Sequence, residues 1–171
     1  GVAQTNAQGG QITAGNLLSL GGDITHAGTG LLALNSGQLD NSRGALSSNG
    51  LLNLSAASMN NDAGLVASLG ALDIQVAGAA SSRSGHIESE QMLKLSAQSL
   101  DATAGNILSL GTQDTHVEVK GALDISGGSL ETNAANLTLS ALALTNNARR
   151  IAHAGEGTFL LTTDSLTHTN G

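Results

Sequence analysis

One unit of about twenty residues recurs along this chain, and a period that short leaves few folds open. Gly44, Gly64, Gly85 and Gly105 stand 20, 21 and 20 residues apart. Two positions after each comes an aliphatic (Leu46, Val66, Ile87, Ile107), and two further on comes Ser48, Ser68, Ser89 or Ser109. The pairs Leu32/Leu34, Leu52/Leu54, Leu72/Ile74 and Leu93/Leu95 keep the same step. A unit this small cannot bury an apolar face alone, so it must stack on its own copies.

The alternation within the unit predicts strands. In Leu51–Gly70 the residues Leu52, Leu54 and Ala56 fall on one face of an extended chain, and Asn53 and Ser55 fall on the other. Shorter alternations around Met59 and Val66 follow, so three short strands per coil are expected, joined by corners of Gly, Ser and Asn. Stacked Leu-rich helices would need apolar spacings of three and four, which these runs lack. Glycine at the corners is expected to supply positive φ. Proline would delete a ladder hydrogen bond in each coil it entered, and the chain has none. Hydrophobic residues make up 40% of the chain while Phe159 is the sole aromatic, which suits columns of near-constant aliphatic size better than a globular core.

The expected fold is therefore all-β: a single-stranded right-handed parallel β-helix of about eight coils, roughly 40 Å long by strand spacing. Residues 1–171 read as one segment, with irregular coils near 21–31, 112–136 and 147–157. Only fourteen residues separate Leu18 from Leu32, and no unique strand assignment emerges for 112–136. An octapeptide echo, Ala14–Gly21 against Ala104–Gly111, also brings back Thr25-His26 as Thr115-His116 ninety residues on. The echo predicts equivalent places on one face for the two histidines.

Charge and composition remove several functions. A net charge of −7 argues against nucleic acid, whose phosphates need a basic face. With no cysteine there are neither disulfides nor thiolate metal sites, and no apolar run is long enough for a membrane-spanning helix. The opening Gly1-Val2-Ala3, without an initiator Met, suggests a piece cut from a longer chain.

Candidate sites are few. The serine column Ser48, Ser68, Ser89 and Ser109 has no recurring histidine to serve as base, so it reads as a structural polar ladder rather than a row of nucleophiles. Asn41, Asn61 and Asn146 read as a stacked amide ladder. His26 and His116, several coils apart, are too distant to share a metal; His86 and His153 lie near corners. Asp40, Asp62, Asp73, Asp101 and Asp124 are scattered singly, without the paired carboxylates of a carbohydrate-cleaving site or exposed aromatic sugar platforms. Neither catalytic residues nor a metal or cofactor is expected. Arg149-Arg150, in the widened segment 147–157, is the one candidate protein contact.

The units Leu39-Asp40-Asn41-x-x-Gly44-x-Leu46-x-Ser48-x-Gly50 and Met59-Asn60-Asn61-x-x-Gly64-x-Val66-x-Ser68-x-Gly70 resemble the repeat of filamentous haemagglutinin-type exoproteins. That resemblance implies a β-helix filament exported by two-partner secretion through an outer-membrane transporter. It implies a place on, or release from, the outer surface of a Gram-negative bacterium. The family includes adhesins and contact-dependent growth-inhibition effectors, and its repeat carries no catalytic residues. The expectation is a non-enzymatic rod segment displaying an adhesive tip or toxin to target cells. A receptor-binding module using loops 112–136 and 147–157, and a carbohydrate-active enzyme, stand as alternatives. The segment is expected to be a monomer that does not insert into membranes, with end-to-end strand contacts open to it.

Overall fold

The computed structural model describes residues 2–5 and 8–170. Among these described residues there is no helix and every strand pair is parallel; the chain winds through about eight coils of about 21 residues as a β-solenoid. The first three coils are β1 (Val2–Thr5) with β2 (Gly10–Leu18), β3 (Asp23–His26) with β4 (Leu31–Asp40), and β5 (Ala45–Ser48) with β6 (Leu51–Asn60). The fourth and fifth divide their long strand, giving β7 (Leu65–Ser68), β8 (Leu72–Val76) and β9 (Ala79–Ser81), then β10 (His86–Ser89), β11 (Leu93–Ala97) and β12 (Ser99–Asp101). The last three are β13 (Asn106–Ser109) with β14 (Thr115–Asp124), β15 (Ser129–Thr132) with β16 (Leu137–Thr145), and β17 (Ile151–His153) with β18 (Phe159–Thr167).

The first strand of each coil builds one sheet, β1-β3-β5-β7-β10-β13-β15-β17, and the remaining strands build a second. Most coils thus hold two strands rather than the three expected. The second corner survives as a break only at Ala77-Gly78 and Gln98; elsewhere the backbone passes it inside one long strand, with a register slip such as that between Val119 and Ala122. Crowding explains the small residues there: a Cβ on Gly37 would lie 2.6 Å from the Gly15 carbonyl oxygen, and one on Gly78 2.7 Å from that of Ala57.

Register decides which side chains meet. Leu32, Leu52, Leu72 and Leu93 stack in one column, Leu34, Leu54, Ile74 and Leu95 in the next, and Leu46, Val66, Ile87 and Ile107 line the opposite wall. All twelve are buried. Full burial of one aliphatic side chain contributes about 1.5–3 kcal/mol, and parallel pairing repeats that gain in every coil.

Three expectations change. Leu18 pairs with Asp40 and points outward, while Leu32 pairs with Gly10, so the coil there spans 22 residues and not fourteen. Residues 112–136, without a unique strand assignment in the sequence, contain β14 and β15, with a register shift between Val119 and Ala122. The echoed octapeptides occupy different sheets: Ala14–Leu18 ends β2, whereas Asn106–Ser109 is β13. His26 is consequently buried within the first sheet and His116 is exposed on the second. An alternating apolar stretch fits either sheet, and the neighbouring coil chooses between them.

The corner glycines also act differently from expectation. Positive φ belongs to the residue before each: Arg43 (57°), Ala63 (54°), Ser84 (53°) and Ala104 (57°). That turn aims the Ala63 N–H at Arg83 O in the next coil, 2.8 Å away. The glycine is needed for close approach instead. A Cβ on Gly64 would fall on the Asn41 carbonyl oxygen and 2.6 Å from Asn61 Oδ1. Gly64→Ala is expected to destabilise by roughly 2–3 kcal/mol through overpacking. Ala63→Gly, one residue earlier, relieves a left-handed residue and should shift stability by less than about 1 kcal/mol, upward. Urea denaturation of both variants checks the contrast, which a positive-φ role for Gly64 would reverse.

Candidate functional site

Polar residues enter the solenoid at two corners. At the first, the column runs Ser19, Asn41, Asn61, Ser82, Ala102, Ile125 and Asn146, linked by backbone hydrogen bonds from each coil to the next. Asn41 Nδ2 donates to Asn61 Oδ1 at 2.8 Å and to Leu65 O at 2.9 Å; Asn61 Nδ2 donates to Ser82 Oγ at 3.0 Å. Asn146 shares the column, but Ser82, Ala102 and Ile125 lie between it and Asn61. The amide run is a pair extended by one serine, and the three asparagines do not form one ladder. Asn146 lies instead 3.3 Å from His168 Nδ1.

At the other corner Ser48, Ser68, Ser89 and Ser109 stack in register between His26 and Thr132. Their hydroxyls serve the backbone rather than one another. Ser68 Oγ donates to Gly50 O at 2.6 Å in the coil below, with Ala71 O at 3.2 Å; Ser89 Oγ meets Gly70 O at 3.1 Å and Met92 O at 2.9 Å. Ser109 accepts from Thr115 Oγ1 at 2.8 Å, and Thr115 reaches Thr132 at 3.0 Å. A buried hydroxyl bound to carbonyls has no base to take its proton, so the column closes corners. His26 is fully buried in this column, and among the described residues neither ring nitrogen has a hydrogen-bond partner.

Three of the five scattered aspartates share with Asn60 a task that the sequence reading missed. Asp40, Asn60, Asp101 and Asp124 each stand four residues before a glycine, and each side chain accepts the N–H two residues on, at 2.8–3.1 Å. These local turns pre-form the corner. The Asp/Asn-x-x-x-Gly spacing was the available signal.

Asp62 is the best-connected charge. It accepts from the Ser81 hydroxyl, from the Arg83 N–H at 2.9 Å, and from Arg83 Nε and Nη2 at 3.0 and 2.8 Å. Arg83 Nε also lies 3.8 Å from Asp101 Oδ2, so one guanidinium ties three successive coils. Partial burial raises the Asp62 pKa, yet the Ser81 and Arg83 hydrogen bonds and the Arg83 charge outweigh it and hold the carboxyl below its ordinary 3.8.

Arg149 and Arg150 do not project from a free loop. Arg149 Nε donates to Gly127 O at 3.2 Å, Arg150 pairs with Glu131 at 3.1 Å, and β17 begins at the next residue. Asp73 accepts from the Gln75 amide at 3.2 Å. Among the described residues no three His, Asp or Glu side chains group as metal ligands. A shallow depression follows the bend of the second sheet, lined by Gln75, Gln98, Glu118 and Lys120.

Asn61→Ala removes the side-chain hydrogen bonds to Asn41 and to Ser82 Oγ inside the tube, and is expected to cost about 1–3 kcal/mol in chemical denaturation. A carboxyl with a lowered folded-state pKa stabilises above its unfolded value and loses that contribution as pH falls through the folded one. Wild type should therefore exceed Asp62→Asn in Tm at neutral pH, and the gap should close below about pH 4. A gap that widens on acidification would contradict the assignment. Compared with known protein families, with curated proteins and with solved structures, the chain matches none.

Proposed function

We propose that this chain is a rod segment of a large bacterial exoprotein of filamentous haemagglutinin type, carried on or released from the outer surface. Its work is mechanical: it holds an adhesive tip or a toxin away from the producing cell, and it catalyses nothing. The observation that carries this reading is the column Leu34, Leu54, Ile74, Leu95, Val117 and Leu139, apolar and in register from the second coil to the seventh. Such a stack grows along one axis without closing, which is what a spacer requires. The wall offers small polar side chains at short intervals, and Asp62, Arg83, Asp101, Glu131 and Arg150 are engaged in ion pairs between neighbouring coils. Export by an outer-membrane transporter belongs to the same proposal, resting on the repeat's resemblance.

A receptor-binding module would instead present unpaired charge on irregular loops. Arg149 and Arg150 are the natural test. Fluorescently labelled chain, titrated onto candidate target cells, is expected to give linear, non-saturable association. Saturable binding would overturn the spacer reading, and its loss on replacing both arginines with alanine would assign the receptor contact to that corner.

A further inference from the structure

We propose that the first sheet carries, across the fourth to sixth coils, a docking surface for an extended segment of a partner protein in which Arg or Lys alternates with aliphatic residues. The surface is the outer face of β7, β10 and β13, with the corners that follow them. It lies in the middle of the shaft with further coils on both sides. A peptide tests it without target cells, so this docking and the spacer reading can fail separately.

Two carboxylates set in an apolar frame mark the surface. β10 turns Glu88 to the outer face, where it pairs in register with Ala67 of β7 on one side and Leu108 of β13 on the other. The corner beyond continues the same ladder, so Glu90 stands between Leu69 and Leu110. Those two leucines are 51% and 45% exposed. Each acid therefore has an apolar neighbour one coil below and one coil above, about 4.8 Å away along the axis. A depression of about 240 Å³ lies against them, lined by Ser47, Asn49, Ala67, Leu69, Glu88 and Glu90. Exposed leucines grouped around unpaired charge are a feature of contact surfaces rather than of a plain wall.

Charge identifies the occupant. Among the described residues neither the Glu88 nor the Glu90 carboxylate has an ion pair or a hydrogen bond. By contrast, Asp62 and Asp101 share Arg83, Glu131 has Arg150, and Asp73 stands in register with Lys94 on the second sheet. A carboxylate hemmed in by leucine is best met by a cation whose own stem is apolar. Arg and Lys have that form: their methylenes cover the leucines while the head reaches the acid. Glu88 and Glu90 are two residues apart on one face, the spacing at which side chains of an extended segment also share a face. A second copy of this chain, at a net charge of −7, is repelled, as are nucleic acid and an anionic membrane.

The probe is an acetylated, amidated hexapeptide of alternating Arg and Leu, titrated onto isotope-labelled chain and read by amide chemical shifts. Saturable shifts are expected at β7, β10, β13 and the corners after them. Glu88→Gln with Glu90→Gln should weaken binding about tenfold. Leu69→Ser with Leu110→Ser should weaken it as well, and that loss should persist in about 0.5 M salt, where exposed charge is screened. The equal charge change on the second sheet, Asp73→Asn with Glu118→Gln, should leave the affinity at its wild-type value. All six side chains face outward, so each variant is expected to keep the wild-type β-sheet circular dichroism. No saturable shift, or shifts spread evenly over both sheets, would overturn the proposal. So would an unchanged affinity in the glutamate or the leucine variant, or an equal loss in the Asp73 and Glu118 variant.

Discussion

Each coil rests its corner on the backbone of the coil beneath, and that contact governs the rest of the structure. Strands in a parallel ladder sit about 4.8 Å apart, so a corner crossing at that height has no room for a Cβ. Gly44, Gly64, Gly85 and Gly105 answer this constraint, each lying against carbonyl oxygens one coil down. With corner height fixed, every strand keeps its register, and the inward side chains must form columns. Columns at a constant spacing favour aliphatic residues of similar size, which accounts for a hydrophobic chain with one aromatic.

The polar interior follows from the same geometry. A corner that turns inside a dry tube leaves backbone groups without strand partners, and buried unpaired groups cost stability. The serine column covers carbonyls at one corner, and the Asn41–Asn61 pair and Ser82 cover the other. Asp40, Asn60, Asp101 and Asp124 stiffen the approach by accepting N–H groups within the turn. Residues that look chemically capable in isolation are thus engaged in closing the coil. Arg83 and Arg150 extend this to the surface, where each braces neighbouring coils through a carboxylate.

A body built this way differs along its length more than around it. Charge is uneven along it: residues 23–131 carry the whole net charge of −7, and residues 1–22 and 132–171 are each neutral in sum. The display role proposed above uses the length of the shaft.

The repeat period, the all-β class, the coil number and the inward-facing Leu, Ile and Val were legible in the chain, because period-2 alternation and glycine spacing are local properties. Strand count per coil, the placement of the echoed octapeptides and the surroundings of His26 and His116 were not. An alternating stretch such as Ala14–Leu18 suits either sheet equally, and only the coil lying against it fixes which face it joins. The glycine function was hidden for a related reason: a glycine required for positive φ and one required for close approach look identical in sequence. The residue that meets the missing Cβ is some twenty positions away, and only the stacked structure brings it there.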